Sequence, residues 1–287
     1  MEATLARRLD QAPPHLYFVV SAVFHYLGPA FAVLLFTRVD VLGVAWLRIA
    51  SAALVFALWR RPLRVLRALD GEARRLLAAW GAVLALMNCC FYLSIDRLPL
   101  GTVAAIEFLP VIALAALGAR SGRNLAALLM AVGGVYLLTD VQLAGEPLGV
   151  ALAFANAVLF ALYIVLAHRV AQHGSISGID ALGAAMLIAT LAVTPLAGEV
   201  VPALTDPVAI MAGIGVGVAS SVIPYVSDQL AMARLPRATY ALMVSILPAT
   251  ATVIGVVVLA QVPTWVEVSG VALVIAGVAA HREPAPA

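Results

Sequence analysis

The sequence predicts an all-α integral membrane protein of ten transmembrane helices, arranged as two inverted repeats of five. Three observations predict it. First, 64% of the 287 residues are hydrophobic and only 11% are charged, with a mean hydropathy of +1.06. A soluble chain carries about 25% charge, and no single aqueous core hides this much apolar surface, so the solvent must be largely lipid. Second, apolar runs of about 20 residues, the length that crosses a bilayer at ~1.5 Å per residue, recur ten times. Third, Leu93–Pro99 (LSIDRLP) returns as Leu230–Pro236 (LAMARLP), sharing Leu, Arg, Leu and Pro, and a second proline follows each copy, Pro110 and Pro248.

Taken in order, the first run is Leu16–Thr37. It follows Arg7 and Arg8, is longer than a signal-peptide core and lacks a small-residue cleavage site, so it reads as a retained span behind a cytoplasmic segment 1–15. Val41–Trp59 comes next and holds Arg48. The basic stretch Arg60–Arg75 then suits a surface helix lying along the headgroups. Leu76–Ile95, Pro99–Ala119 and the short Leu125–Thr139 complete a first repeat, 16–140. The second repeat, 147–281, contains Leu148–His168, Gly178–Leu196, Val208–Met232, Pro236–Leu259 and Trp265–His281, before a tail at 282–287 that reads as a frayed end. Most connections are short, which makes consecutive helices antiparallel neighbours. Gly28-Pro29, Pro110, Gly133-Gly134, Pro195, Pro224 and Pro248 punctuate the spans as kinks or close contacts.

Arginine placement gives the orientation. With the N-terminus in the cytoplasm, fourteen of the seventeen arginines fall in cytoplasmic segments, only Arg38 and Arg97 in outside loops, and Arg48 inside a span. The positive-inside rule therefore predicts a multi-pass protein of the cytoplasmic (inner) membrane with both termini cytoplasmic. Because five is odd, the two copies of LxxxRLP then sit on opposite sides, the mark of an inverted-topology repeat. Ser21-Ala22-Val23 and Asn156-Ala157-Val158 match at a similar offset. Such repeats build alternating-access carriers with a midplane site between the halves.

Several chemistries are excluded. The chain has no lysine, so a Walker A ATPase and Schiff-base chemistry with pyridoxal or retinal are out. Cys89 and Cys90 are adjacent in an apolar run and read as small hydrophobes. There is no G-x-S-x-G, no H-E-x-x-H and no Cys/His metal set, so no enzyme, metal or cofactor is expected, and nothing points to nucleic acid.

Glu107 is the leading candidate for function. A charge at mid-bilayer costs roughly 2.5–3.5 kcal/mol on insertion scales, and a carboxyl group in that setting is suited to taking up and releasing a proton during transport. A competing reading pairs it with Arg48 or hydrogen-bonds it across helices. Arg48 itself reads as a structural or snorkelling residue, with a carboxylate-binding role as the alternative. Polar residues recur at helical spacing: Ser21 and His25; Asn88 and Tyr92; Asn156, Phe160 and Tyr163; Ser221, Tyr225 and Asp228; Ser245, Pro248 and Thr252. Together they predict a wet cavity lined by Glu107, Asn88, Tyr92, His25, Asn156, Tyr163, Tyr225, Asp228 and Ser245.

The segments MNCCFYLSIDRLPLGTVAAIEF (Met87–Phe108), AWLRIASAAL (Ala45–Leu54) and SSVIPYVSDQLAMARLP (Ser220–Pro236) resemble the EamA-type members of the drug/metabolite transporter superfamily, and within it the bacterial threonine and homoserine exporters. The resemblance implies ten helices in two inverted halves, a central cavity and export of small metabolites, with Arg48 and Glu107 at the positions of the family's span-2 arginine and span-4 glutamate. The chain departs from the family pattern twice. Leu247-Pro248 stands where the family often has Glu-Pro, and Leu259-Ala260-Gln261 where it often has Leu-Gly-Glu. With both carboxylates replaced, coupling is expected to rest on Glu107 or Asp228.

The function expected is proton-linked export of amino acids (threonine- or homoserine-like) or similar small polar metabolites by alternating access. Its partners are the substrate, protons and the lipid bilayer, with monomer and homodimer both open. Efflux of toxic or aromatic compounds by the same architecture is the alternative, and a more distant one is a membrane-embedded enzyme acting on lipid-linked substrates.

Overall fold

The computed structural model describes residues 13–118, 121–143, 146–172, 177–232, 234–235, 243 and 246–280. Among these, every regular element is helical: α1 (Pro14–Leu35), α2 (Val41–Arg60), α3 (Pro62–Ala68), α4 (Gly71–Ile95), α5 (Leu100–Gly118), α6 (Gly122–Leu143), α7 (Pro147–Gln172) and α8 (Gly178–Ala192). A 3-10 segment, Thr194–Thr205, follows. Then α9 (Pro207–Gly217) runs through a π-turn (Val218–Val222) into α10 (Ile223–Met232), and α11 (Leu247–Leu259) and α12 (Trp265–Ala280) complete the chain.

Polar residues at the ends start these helices. Asp40 accepts from Leu42 N at 2.8 Å to open α2, Asp70 from Ala73 N at 2.8 Å to open α4, and Ser177 from Asp180 N at 3.2 Å to open α8. At α12, Thr264 and Glu267 cap one another: Thr264 N donates to the carboxylate at 2.7 Å and Glu267 N to the hydroxyl at 3.3 Å. Each contact satisfies an amide that the first helical turn leaves unpaired.

By length and composition, five stretches can cross a bilayer: His15–Leu35, Val41–Arg60, Gly71–Ile95, Pro147–Val170 and Pro207–Asp228. A sixth is the bent pair of α8 and the 3-10 segment, and Leu100–Pro110, Gly122–Leu138, Leu247–Leu259 and Trp265–Ala280 are shorter apolar helices. The outward faces carry Leu58 (78% exposed), Val257 (77%) and Leu129 (63%), a surface that suits acyl chains and not water. The protein is thus an all-helical, multi-pass membrane protein. Within the basic stretch after the second span lies a short helix, α3. The run Gly178–Leu196, in which Pro195 was expected as a kink or close contact, is broken: the chain turns by 75° after Ala192. Pro195 has no amide to donate, and it disfavours helical geometry at Thr194, so α8 stops there.

The helices are tied at two ends. At one, Arg38 Nη1 donates to Asp206 Oδ2 at 2.9 Å and Leu100 N to Gln261 Oε1 at 3.0 Å, while Gly149 packs on Arg97 and Leu98, and Gly43 on the Glu199 carbonyl. At the other, arginine-rich end, Arg60 Nε donates to Asp180 Oδ1 at 2.7 Å and Arg123 Nε to the Ala280 carbonyl at 2.6 Å, and Arg234 lies over the Tyr17 ring at 5.1 Å. Among the described residues, one core joins Leu35, Val44, Tyr92, Leu100, Ala153 and Ile254 from six helices, and further clusters gather around Phe56, Leu77 and Met186, around Phe18 and Ala231, and around Phe108 and Ala131.

Packing partners are distributed regularly. α4 lies against α7 and α8; α1 against α10 and α11; α2 against α8 and α9; α5 against α7 and α11; and α6 against α12. The α6–α12 crossing runs through glycine: a Cβ on Gly134 would sit 2.5 Å from the Gly270 carbonyl, and one on Gly277 2.7 Å from that of Ala127. Small residues allow such backbone approach where lipid removes the hydrophobic drive for association.

Candidate functional site

The buried ionisable groups gather where α2, α4, α5, α7 and the π-turn meet. Arg48, only 4% exposed, donates from Nε to Ser221 Oγ at 3.0 Å and from Nη2 to the Ser220 carbonyl at 3.1 Å, with its guanidinium 5.3 Å from the centre of the Tyr92 ring. The π-turn makes this possible, because its wider winding frees carbonyls from the i to i−4 ladder and presents two successive serines to one cation. Gly28 brings α1 against the π-turn and Gly217 brings α9 against α2, since a Cβ at the first would strike Ser220 and one at the second Ser51. Of the structural and snorkelling readings of Arg48, this geometry matches the structural one: its side chain ends inside the protein. Two charge-assisted hydrogen bonds at about 1.5–3 kcal/mol each and a cation–π contact of about 2 kcal/mol offset a desolvation cost of several kcal/mol.

Glu107, 5% exposed, accepts from Asn156 Nδ2 at 2.9 Å, a contact between α5 and α7. The alternative pairing with Arg48 is not formed: among the described residues neither makes a salt bridge, although the Arg48 charge reaches Glu107. Around the guanidinium and the carboxyl group lie fully buried polar atoms that have no hydrogen-bond partner among the described residues. The Ser220 and Tyr92 hydroxyls stand at the basic pole, and Asn156 Oδ1 and the Tyr26 hydroxyl near the acidic one. Tyr92 lies beside Ser220 and Arg48 but outside hydrogen-bonding geometry to either, while the Glu107 and Asp228 charges reach Tyr26. Native interiors rarely leave such atoms unpaired.

Rings form one wall of the group. Phe108 meets Phe160 edge-on at 6.0 Å, Phe160 parallels Tyr163 at 6.3 Å, Tyr163 stacks on Tyr225 at 6.5 Å, and Tyr225 reaches His25 at 6.1 Å. Trp80 adds to Tyr163 at 5.5 Å. His25, Tyr163, Tyr225 and Asp228 are partly exposed, whereas Arg48, Asn88, Tyr92, Glu107 and Asn156 are buried. The row thus lies at the more open margin of the polar group.

The structure brings most of the sequence-predicted residues together. Asn88 is buried, but its Nδ2 donates at 2.7 Å to the Leu84 carbonyl one turn back on its own helix. Ser245 lies outside the described residues. Sequence reasoning missed the hydroxyl of Tyr26, the Ser220 carbonyl and the rings of Trp80 and Phe108. The adjacent serines inside an apolar run were the one available signal. Gln261 also has a role that reading the chain alone obscured. Its Oε1 caps the first amide of α5, the helix that carries Glu107, while Ala260 beside it adopts a left-handed φ of 54°.

A separate cavity of about 150 Å³ opens between Thr102, Thr252, Gln261, Glu267 and Val271, and none of its lining belongs to the Arg48–Glu107 group.

Comparisons with known proteins agree with this architecture. Residues 147–280 match the EamA-like transporter family. The threonine/homoserine exporter RhtA of Salmonella typhimurium (strain LT2) is 30% identical over 278 residues, covering 94% of this chain and 91% of the relative. That of Escherichia coli (strain K12) is 33% identical over 260 residues, covering 87% and 84%. A crystal structure of a protein 17% identical superposes with a TM-score of 0.59 over 93% of this chain and 96% of that one, a likeness of fold alone. These relatives are exporters and not enzymes. The chain belongs to the EamA-like transporter family, within the drug/metabolite transporter superfamily.

Proposed function

We propose that this chain is a secondary exporter of amino acids or similar small polar metabolites, working by alternating access of two inverted five-span halves, 16–140 and 147–281, with proton coupling through Glu107. One observation carries the reading: a buried guanidinium and a buried carboxyl group, unpaired with each other, stand among polar atoms that lack partners among the described residues. Such an arrangement is costly for a scaffold and suited to a zwitterion.

The packing supports a ten-span, two-fold arrangement. Numbered as spans, the third lies on the sixth as the eighth lies on the first, and the third on the seventh as the eighth on the second. The fourth lies on the sixth as the ninth on the first, and spans two, four and five each meet their own counterparts. Exchange by five leaves these pairings unchanged, as an inverted repeat requires.

The substrates of the RhtA relatives make threonine the first compound to try. Purified protein in liposomes preloaded with unlabelled threonine is expected to accumulate labelled threonine by counterflow, faster when a proton gradient is imposed. Absence of counterflow across a panel of amino acids would remove the substrate class. The ring row from Phe108 to Tyr225 favours a second reading, efflux of aromatic compounds. Stronger competition by phenylalanine than by serine would support it.

A further inference from the structure

We propose that Arg48 is the receptor for the substrate's carboxylate, and that its bonds to Ser220 and Ser221 hold it in reserve for that role. This rests on the reading of the chain as an amino-acid exporter and assigns the group that recognises the acid end.

A guanidinium carries five N–H donors. In Arg48, Nε and one Nη2 hydrogen are engaged, each by a neutral oxygen, and Nη1 has no protein acceptor among the described residues. A carboxylate is the acceptor whose two oxygens match the guanidinium fork and its charge. Hydroxyls that can donate to the same anion are already at this pole, since the Ser220 and Tyr92 oxygens are fully buried and have no partner among the described residues. Glu107 and Asn156 Oδ1 offer acceptors on the other side, as the ammonium of an α-amino acid requires.

Ser221 is the internal competitor. Its hydroxyl occupies Nε, one of the two N–H vectors of the side-on fork, so a carboxylate approaching that edge must displace it. Release of Ser221 also removes one of the two bonds by which Arg48 ties the π-turn to α2. Binding of the acid is thereby linked to the contact between the second and eighth spans, which lie in different halves.

The test uses full-length protein in liposomes and in detergent, with threonine, homoserine and phenylalanine each paired with its primary amide. Counterflow competition and thermal stabilisation are read together. Each acid is expected to act at least about tenfold more strongly than its amide, the size of one lost charged hydrogen bond. Ser221→Ala is expected to lower the half-saturating concentration of the acids by about threefold to tenfold while leaving the amides unchanged. Arg48→Gln is expected to erase the preference, and Arg48→Lys to restore part of it. Equal action of acids and amides overturns the assignment. If both are carried, amino-compound export survives; if both are ignored, that reading falls as well. An unchanged response to acids in Ser221→Ala also overturns the proposal.

Discussion

Replacing Glu107 separates its ionisation from its place in the packing. Glu107→Gln keeps the shape of the side chain and an Oε1 that can still accept from Asn156 Nδ2, now at 2.9 Å, so it removes the ionisable group with little change in contacts. Stability in detergent is expected to stay within about 1 kcal/mol of the parent. Asn156→Ala instead deletes the amide that satisfies a buried carboxyl, a loss of about 1.5–3 kcal/mol, and Glu107→Ala adds a cavity to a similar loss. Proton-driven export is expected to vanish in Glu107→Gln, with counterflow, which needs no net proton movement, retained. Two assays on the same preparation read these outcomes: thermal unfolding, and labelled-threonine flux with and without an imposed pH gradient. Gradient-driven export by Glu107→Gln equal to the parent would refute the coupling role of this residue. A Gln variant as unstable as Asn156→Ala would refute the packing argument.

Other sites give simpler expectations. Gln261→Ala should lower thermal stability by about 1 kcal/mol, the usual worth of an N-cap, whereas Gln261→Glu should preserve or raise it through the α5 dipole; detergent melting curves read both. Gly217→Ala places a Cβ against Ser51 Oγ and 2.7 Å from the Arg48 carbonyl, so overpacking of about 1–3 kcal/mol is expected together with loss of transport. Backbone donation from Ala209, reinforced by Arg38, holds the Asp206 carboxyl below its usual range. Its contribution is therefore present above the ordinary carboxylate pKa and lost as pH falls through the lowered value. Asp206→Ala should flatten that acid limb of a stability–pH profile.

Much of this architecture was legible in the chain. Apolar runs at a fixed length marked the helices, and arginine bias separated the loops that the structure ties together at two ends. Glu107 stood out because a carboxylate in the middle of a long apolar run is costly to bury and is seldom kept there without a task. Its partner Asn156 was visible only as one of several polar residues at helical spacing, since nothing local joins positions 49 residues apart. The same limit hid the Gln261 cap on α5, formed across 161 residues. The partners of Arg48 were hidden because hydropathy measures cost and cannot see acceptors, here a hydroxyl and a carbonyl supplied 173 and 172 residues away. The break after Ala192 had its signal in Thr194-Pro195. The π-turn had none that side-chain periodicity could reveal, because the surplus residue lies in the winding itself.

That surplus residue has a mechanical consequence for the rod from Pro207 to Met232. A π-turn can migrate along a helix like a ruck along a carpet. Side chains it passes swing about the axis by about 100°, one residue's worth of winding. Migration from 218–222 towards Met232 would turn Tyr225, and with further travel Asp228, towards new neighbours while both ends of the rod stayed where they were. The rod from α9 to α10 can therefore exchange the faces it presents without leaving its place among the helices.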